Sequence, residues 1–154
     1  MSNTKPIEIL LVEDNPADAE LALHALRKSK AAKHVHVLRD GEQALDFLLC
    51  RGDYSDRRFE APPRIVLLDL KLPKVDGAEV LRDLKANPRT KAIPVIVLTS
   101  STEEQDMVRC YKLGANSYIQ KPVSFAEFQH VVQLLGTYWL VTNSKPPEAA
   151  FSPV

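Results

Sequence analysis

The chain has 154 residues, of which 45% are hydrophobic and 26% are charged, and its 20 basic residues balance 20 acidic residues. This length suits one domain with a substantial core, and zero net charge favours neither nucleic acid nor an anionic membrane as a partner. The amino terminus lacks a signal-peptide core, and no apolar run approaches the ~20 residues of a membrane helix, so we expect a cytoplasmic protein.

Strand and helix patterns alternate along the chain, which predicts a parallel sheet with helices on both faces. Residues 7–12 form an apolar run of strand length, and Pro16 then begins a helix at a position that tolerates its missing N–H. Residues 34–38 predict a second strand, and the Asp-Gly turn at residues 40–41 leads into a second helix. The polar segment 50–63 is an unusually long connection to the next strand.

Three more short strands are predicted in the second half of the chain, at residues 65–68, 95–98 and 117–120. Helices separate these strands, as a parallel sheet requires. The helix expected from Thr102 to Leu113 ends at Gly114, because glycine readily adopts the left-handed conformation that closes many helices.

The carboxyl-terminal region predicts a long helix followed by a tail. Ser124 and Glu127 match a capping box, and the helix that they begin can extend to about Val141. Residues 143–154 contain three prolines and show no periodicity, so we expect a tail without regular structure. The sequence therefore predicts one domain over residues 1–142, with no second folded domain after it.

Polar side chains follow four of the predicted strands: Glu13 and Asp14 the first, Asp69 the third, Thr99 the fourth and Lys121 the fifth. Ligands of open parallel sheets bind beyond the carboxyl ends of the strands, and a 2-1-3-4-5 order would crowd the three carboxylates together. Carboxylates without histidine or cysteine favour a hard cation such as Mg²⁺. The lysine and the threonine could contact phosphoryl oxygens, so the set offers the groups that phosphoryl transfer needs.

Each of these signals is weak by itself. An aspartate after a strand is usually a turn or cap residue, and Thr99 before a helix could simply cap that helix. Their joint recurrence at strand ends, in an order that brings them together, favours a shared site over four unrelated turn and cap residues.

The chain resembles a two-component response-regulator receiver domain from about Ile7 to Val141. The matching segments are residues 9–15, 68–77, 95–100 and 114–122. This resemblance implies a flavodoxin-like α/β fold, which is a doubly wound five-stranded parallel sheet in the order 2-1-3-4-5 with five helices. It also implies that the fifth helix is extended.

The resemblance also implies an acceptor and a cation site. Asp69 would be the phosphoacceptor, and Asp14 and Asp69 would bind Mg²⁺ directly. Glu13 would contribute through a metal-bound water, and Lys71 would contribute its backbone carbonyl. The position of Lys71, two residues after the acceptor, is also one that tunes the lifetime of the phosphorylated state.

Further implied roles concern the phosphoryl group and a conformational switch. Thr99 and Lys121 would contact the phosphoryl oxygens, and the Lys121–Pro122 peptide bond would be cis. Thr99 would move toward the phosphoryl group, and the ring of Tyr118 would turn inward from the surface into the space that is vacated. Ser101, two residues after the threonine, is a second position that tunes the lifetime.

The predicted last helix carries more apolar residues than a helix covering one face of a sheet needs. Tyrosine and tryptophan are also enriched as anchors of interfaces. We therefore expect a homodimer interface on this helix, although the surplus could instead pack on its own domain. The candidate interface residues are Phe128, Val132, Leu135, Tyr138 and Trp139.

The long connection 50–63, the run 116–122 and the Tyr-Trp-Leu sequence at 138–140 resemble one subgroup of receivers. These are the small receivers that partner bacterial phytochrome histidine kinases. The resemblance implies such a kinase as phosphodonor and a signalling protein that catalyses only its own phosphotransfer and slow dephosphorylation. Two alternatives stay open: a shuttle to a histidine phosphotransfer protein, or a scaffold that is independent of phosphorylation.

Overall fold

A five-stranded parallel sheet lies at the centre of the computed structural model, which describes residues 7–29 and 33–153. The strand order is β2-β1-β3-β4-β5, as the sequence predicts. Strands β1 and β3 are therefore neighbours, and β4 and β5 continue the sheet on the far side of β3. The strands are β1 (Ile9–Val12), β2 (Val35–Leu38), β3 (Ile65–Leu68), β4 (Val95–Thr99) and β5 (Ser117–Gln120).

Five α-helices connect and follow the strands, and the fifth continues into a π-helical turn at Tyr138–Thr142, so the extended last helix is confirmed. No helix in the part of the chain that the structure describes is long and apolar enough to span a membrane. The helices are α1 (Pro16–Lys28), α2 (Gly41–Leu48), α3 (Gly77–Ala86), α4 (Glu104–Leu113) and α5 (Phe125–Thr137).

Short polar side chains begin four of these helices by accepting a hydrogen bond from a backbone N–H in the first turn. These caps are Asn15, Asp40, Asp76 and Ser124. Helix α4 begins at Glu104, two residues later than predicted. Its N-cap residue, Glu103, has an extended backbone and makes no capping hydrogen bond with its side chain. The helix ends at Gly114 with a φ of 105°, the left-handed conformation that the sequence predicts there.

The central strands β1 and β3 are buried on both faces of the sheet. Leu10 and Val66 belong to a cluster with α2 and α3, whereas Ile9 and Ile65 belong to a cluster with α1 and α5. A leucine or isoleucine stabilises the fold by roughly 1.5–3 kcal/mol when it is fully buried. The two clusters therefore fix the sheet between its helical layers and hold the carboxyl ends of the strands in place.

Three of the five candidate dimer residues are buried in this second cluster, so that part of the prediction is wrong. Phe128, Val132 and Leu135 are 5%, 0% and 7% exposed because α5 packs on α1 and the sheet. Tyr138 is 50% exposed, and Trp139 packs at the edge of the cluster. The excess apolar character of the helix is thus largely used inside its own domain.

The long connection before β3 is present and packed. It contains a short 3₁₀ turn at Gly52–Tyr54. The Arg57 guanidinium lies 3.7 Å from the centre of the Phe47 ring and donates a hydrogen bond to the carbonyl of Ala61. Arg57 therefore links the connection to α2 through Phe47, and it links two parts of the connection to each other through Ala61.

The tail departs from the prediction that it lacks regular structure. Residues Glu148–Phe151 form a 3₁₀ turn, and the side chain of Phe151 packs against the first core cluster. The aromatic ring gives this polar segment an apolar anchor, which composition alone does not reveal. The prediction is therefore wrong for this turn, and Val154 lies outside the described residues.

Candidate functional site

The carboxyl ends of β1 and β3 bring three carboxylates together. Parallel pairing places Val12 beside Leu68, so the residues that follow these strands emerge at the same level. Carboxylate oxygens of Glu13, Asp14 and Asp69 lie within 4.8 Å of one another. The sequence prediction that these side chains crowd at one edge of the sheet is therefore matched by the geometry.

Lys121 lies against this cluster after the end of β5. Its backbone N–H donates to the carbonyl of Thr99 at 2.6 Å, which fixes the lysine beside the end of β4. Its Nζ atom lies 2.5 Å from Glu13 Oε1, 3.0 Å from Asp69 Oδ2 and 3.0 Å from Asp18 Oδ2. An ammonium has three N–H donors, so each one faces a separate carboxylate.

Burial and charge act in opposite directions on these groups. Burial raises the pKa of Glu13 to about 7, because it outweighs the hydrogen bond to Lys121, and the charge of Asp69 adds to the rise. Burial alone would lower the pKa of Lys121, but its hydrogen bond to Glu13 and the charge of Asp69 raise that pKa above its ordinary value. The raised pKa keeps Lys121 a cation, whereas burial brings the pKa of Glu13 close to neutral pH.

Asp69 is 8% exposed, and each of its oxygens has a hydrogen-bond partner. Oδ1 accepts from the backbone N–H of Leu70 at 2.7 Å, and Oδ2 faces Lys121. Gly77 packs so closely on this loop that an added Cβ would lie 2.1 Å from the Asp69 carbonyl oxygen. Glycine is thus required at position 77, a role that the sequence analysis did not assign.

Thr99 is the last residue of β4 and is 1% exposed. Its Oγ1 atom accepts a hydrogen bond from the backbone N–H of Ser101 at 3.2 Å. The hydroxyl of Ser101 donates in turn to Asp106 Oδ2 at 2.6 Å, at the start of α4. Both residues therefore lie in one hydrogen-bonded chain between the site and α4.

Tyr118 lies on β5 with its hydroxyl buried, and its ring packs against the first core cluster. The centre of the Tyr111 ring on α4 is 6.4 Å from that of Tyr118. Burial raises the pKa of the Tyr118 phenol. The structure thus has this side chain already turned inward, whereas the sequence prediction starts it at the surface.

Two further predictions concern Lys71 and the peptide bond at Pro122. Lys71 is exposed and lies two residues after Asp69, in the loop that follows β3. The Lys121–Pro122 bond is trans, so the predicted cis bond is wrong. A trans bond is the ordinary preference of X–Pro by 0.5–1 kcal/mol, and it leaves Lys121 within reach of all three carboxylates.

Asp18 is a site residue that the sequence analysis missed. Its carboxylate lies 3.0 Å from Lys121 Nζ, although the residue belongs to the first turn of α1 rather than to a strand end. The available signal was its place in the first turn of the helix that Pro16 begins, close in sequence to Glu13 and Asp14. That signal is weak, because an acidic residue in the first turn is common in any helix.

The donor set suits a divalent cation. Glu13, Asp14 and Asp69 offer only carboxylate oxygens, and hard ions such as Mg²⁺ and Mn²⁺ prefer such ligands. Asp14 is exposed whereas the other two are buried, so the cluster is open to solvent on one side. An ion could therefore enter without displacing the core.

The fold and the site together define an open α/β protein with an acidic, lysine-paired centre at the carboxyl edge of its parallel sheet. The model of the response regulator receiver domain family matches residues 9–133. The chain therefore belongs to the response regulator receiver family.

Curated relatives match over nearly the whole chain. The probable methanogenesis regulatory protein FilR2 of Methanothrix harundinacea is 44% identical over 144 residues, which are 94% of this chain and 90% of that protein. The response regulator Rcp1 of Synechocystis is 41% identical over 141 residues, covering 92% of this chain and 94% of Rcp1.

Solved structures match equally well and confirm the predicted fold. The Mn²⁺-bound form of Rcp1 superposes with a TM-score of 0.84 at 41% identity, covering 90% of this chain and 98% of that chain. The phosphorylated cyanobacterial phytochrome response regulator RcpA gives a TM-score of 0.86 at 38% identity, covering 93% and 100%. The chain is thus similar to one response regulator solved with a divalent metal and to another solved in a phosphorylated form.

Proposed function

We propose that this response regulator accepts one phosphoryl group on Asp69 in a reaction that depends on Mg²⁺. The observation that carries the proposal is the position of Asp69, buried at the end of β3, 3.0 Å from Lys121 Nζ and within 4.8 Å of two further carboxylates. An acceptor oxygen, a cation site and a fixed ammonium are the groups that phosphoryl transfer requires.

The reaction transfers the phosphoryl group from a phosphohistidine to a carboxylate. An oxygen of Asp69 attacks phosphorus and forms an O–P bond, while the P–N bond breaks and its electron pair stays on the imidazole nitrogen, which takes a proton from solvent. Lys121 turns two N–H donors of its ammonium from Glu13 and Asp69 toward the phosphoryl oxygens, and the Thr99 hydroxyl donates to another oxygen. Both contacts stabilise negative charge in the transition state.

Glu13, Asp14 and Asp69 would hold the Mg²⁺ ion, with the backbone carbonyl of Lys71 as a further ligand. The bound ion would supply Lewis-acid stabilisation of the charge that develops on the phosphoryl oxygens. Metal ligands bind in their deprotonated form, so Glu13 would hold the ion as a carboxylate.

The new charge on Asp69 would be read through Thr99 and Tyr118. The Thr99 hydroxyl donates to a phosphoryl oxygen, and the movement of the side chain that this requires stretches the hydrogen bond that its oxygen accepts from Ser101, which loosens the chain of hydrogen bonds that leads to Asp106. The ring of Tyr118 would keep the inward orientation through its packing against the first core cluster. The resulting change at the start of α4 would alter the surface that partner proteins contact, and Lys71 and Ser101 would tune how long it lasts.

We infer that the phosphodonor is a phytochrome-type histidine kinase and that signalling occurs in the cytoplasm. Similarity to Rcp1 and to the phytochrome response regulator RcpA over more than 90% of each of those chains supports this assignment.

Transfer from a purified phytochrome histidine kinase, loaded with labelled phosphate, tests this proposal. The wild type should gain label within seconds to minutes with Mg²⁺ and should gain none with EDTA. Asp69→Asn should gain none under any condition. Asp56→Asn is the matched control, because this exposed aspartate in the long connection lies outside the site. Label on Asp69→Asn equal to wild type would contradict the assignment of the acceptor.

Exposed apolar residues at the end of α5 and in the π-helical turn that follows support a homodimer, and of the residues first expected only Tyr138 is among them. Leu134 (56% exposed), Tyr138 (50%) and Val141 (67%) form an outer stripe that faces solvent. We propose this outer stripe as the dimer surface, with Tyr138 as an anchor.

Sedimentation equilibrium tests the dimer at micromolar concentration. The wild type should sediment as a dimer, and Leu134→Lys should sediment as a monomer because the charge would be buried in the interface. Val123→Lys changes a more exposed apolar residue before α5, outside the outer stripe, and should leave the dimer intact. A monomeric wild type, with or without phosphorylation, contradicts the proposal.

A further inference from the structure

The Lys121 ammonium contacts one carboxylate that does not belong to the acidic cluster. Asp18 Oδ2 lies 3.0 Å from Lys121 Nζ. Among the residues that the structure describes, the carboxylates grouped closely enough for a cation are Glu13, Asp14 and Asp69. Asp18 therefore shares the lysine with the cluster without sharing the cation site.

Both partners of this ion pair are attached to rigid backbone. Asp18 lies in the first turn of α1, where its N–H donates to the Oδ1 atom of the N-cap Asn15 at 3.1 Å. Lys121 is fixed at the end of β5 by the hydrogen bond from its N–H to Thr99. The side chain of Lys121 is 8% exposed and that of Asp18 is 33% exposed, so the pair lies at the mouth of the site.

The three partners of the lysine differ in what they must do during the reaction. Glu13 and Asp69 are needed by the cation, and Asp69 also receives the phosphoryl group, so both must release Lys121. Asp18 has no other partner in this reaction. We propose, on the basis of the function proposed above, that Asp18 is a positioning residue that holds the Lys121 ammonium at the site while the other two carboxylates are occupied.

Holding one N–H leaves two donors of the ammonium free to face the phosphoryl oxygens. Without Asp18, the long side chain of Lys121 would have to be ordered during each transfer, at a cost in conformational entropy. It would also pair more closely with Glu13 and compete with the cation. Loss of Asp18 should therefore slow the transfer step rather than weaken binding of the phosphodonor.

Phosphorylation of the full chain by acetyl phosphate at saturating Mg²⁺ tests this role. Asp18→Ala should lower the maximal rate constant about three- to tenfold, as expected for one partly exposed hydrogen bond to a charged group, with an unchanged half-saturating acetyl phosphate concentration. Asp18→Asn keeps an oxygen acceptor at the same place and should stay within about twofold of wild type. The exposed Glu20→Ala on the same helix removes an equal charge and should match wild type.

A double-mutant cycle shows whether Asp18 acts through the lysine. In the Lys121→Ala background, adding Asp18→Ala should cause no further loss. A wild-type maximal rate in Asp18→Ala, a faster one, or an undiminished loss in the Lys121→Ala background would each overturn the proposal. A wild type that takes up no phosphoryl group overturns the proposed function as well, whereas an active wild type with an unaffected Asp18→Ala overturns this role alone.

Discussion

Two lysines in this protein each direct their ammonium at three acceptors, but the acceptors differ in charge. Lys121 faces three carboxylates at the carboxyl edge of the sheet. Lys85, at the end of α3, donates to the carbonyls of Lys91 and Ile93 and to the side-chain oxygen of Asn116, at 2.9, 2.8 and 3.0 Å. The first set of partners is anionic and the second is neutral.

This difference reverses the effect of burial on the two ammonium groups. Burial lowers the pKa of Lys85 to about 8, and the charge of Lys91 adds to the decrease. For Lys121 the carboxylates outweigh burial and raise the pKa. Hydrogen bonds to neutral acceptors thus let Lys85 connect α3 to the segment just before β4. The anionic partners of Lys121 keep its ammonium charged, so that it can contact a phosphoryl group.

Replacing each lysine should have the largest and most distinct effects: the Lys121 variant should lose phosphorylation rate, and the Lys85 variant should lose stability. Lys121→Ala should slow phosphorylation by acetyl phosphate at least about 10²-fold, because a preorganised charge at the transition state is lost. Lys85→Met should leave the rate within about twofold. It should instead lower the free energy of unfolding by about 1 kcal/mol, since the part-buried carbonyl of Ile93 and two exposed acceptors lose the ammonium donor. Rates come from phosphorylation time courses and stabilities from urea titration.

Equal loss of phosphorylation in both lysine variants would contradict the distinction between them. So would a fully active Lys121→Ala variant, because the account gives this lysine the main positive charge at the acceptor.

Two glycines extend the comparison, because one packs on the site of Lys121 and the other on Lys85. In Gly77→Ala the new Cβ would lie 2.1 Å from the Asp69 carbonyl oxygen, so the acceptor must move. We expect phosphorylation to slow about tenfold or more, since small displacements of a reacting group are costly. In Gly114→Ala the Cβ would lie 3.0 Å from Lys85 Cγ at a φ of +105°. We expect a stability loss of about 1–2 kcal/mol with normal phosphorylation.

Phosphorylation time courses on folded protein, checked by circular dichroism, decide between the two glycine positions. A Gly114→Ala variant that is stable but slow would show that the region around Lys85 contributes to the reaction, and the comparison would fail.

The smallest expected effect is a difference between wild type and Lys85→Met in how the free energy of unfolding depends on pH. Because the folded pKa of Lys85 lies near 8, below the ordinary value of 10.5, the unfolded chain binds more protons between these values. The free energy of unfolding should therefore gain a rising contribution from pH 8 to 10.5, and Lys85→Met should lack it. Lys121 has a raised pKa, so its contribution to stability is complete below pH 10.5 and is lost as the pH rises from 10.5 through its folded pKa.

Urea titrations of wild type and Lys85→Met at half-unit intervals of pH measure this difference. Parallel curves for the two proteins would show that burial does not lower the pKa of Lys85.

Several helix boundaries could be predicted because local signals determine them, whereas the strand order was predicted from the resemblance to receiver domains. Pro16 begins α1, Ser124 begins α5, and Gly114 ends α4 in the left-handed conformation. Four site residues could also be predicted to converge, since each directly follows a strand and parallel strands end at one edge. Their sequence positions alone contain that information.

The remaining features depend on contacts that no local pattern specifies. Asp18 reaches Lys121 only because α1 packs beside the end of β5. Phe128 is buried because α5 lies on α1, and an apolar stripe does not reveal which side of a helix is covered. The turn that ends at Phe151 depends on one aromatic contact with the core.

The most direct test of the central claim is the site of modification in the full chain after incubation with acetyl phosphate and Mg²⁺. Intact-mass and peptide analysis should show one phosphoryl group per chain, located on the peptide that contains Asp69, and Asp69→Asn should remain unmodified. A single stable phosphoryl group on another residue, or equal modification of Asp69→Asn, would contradict the account.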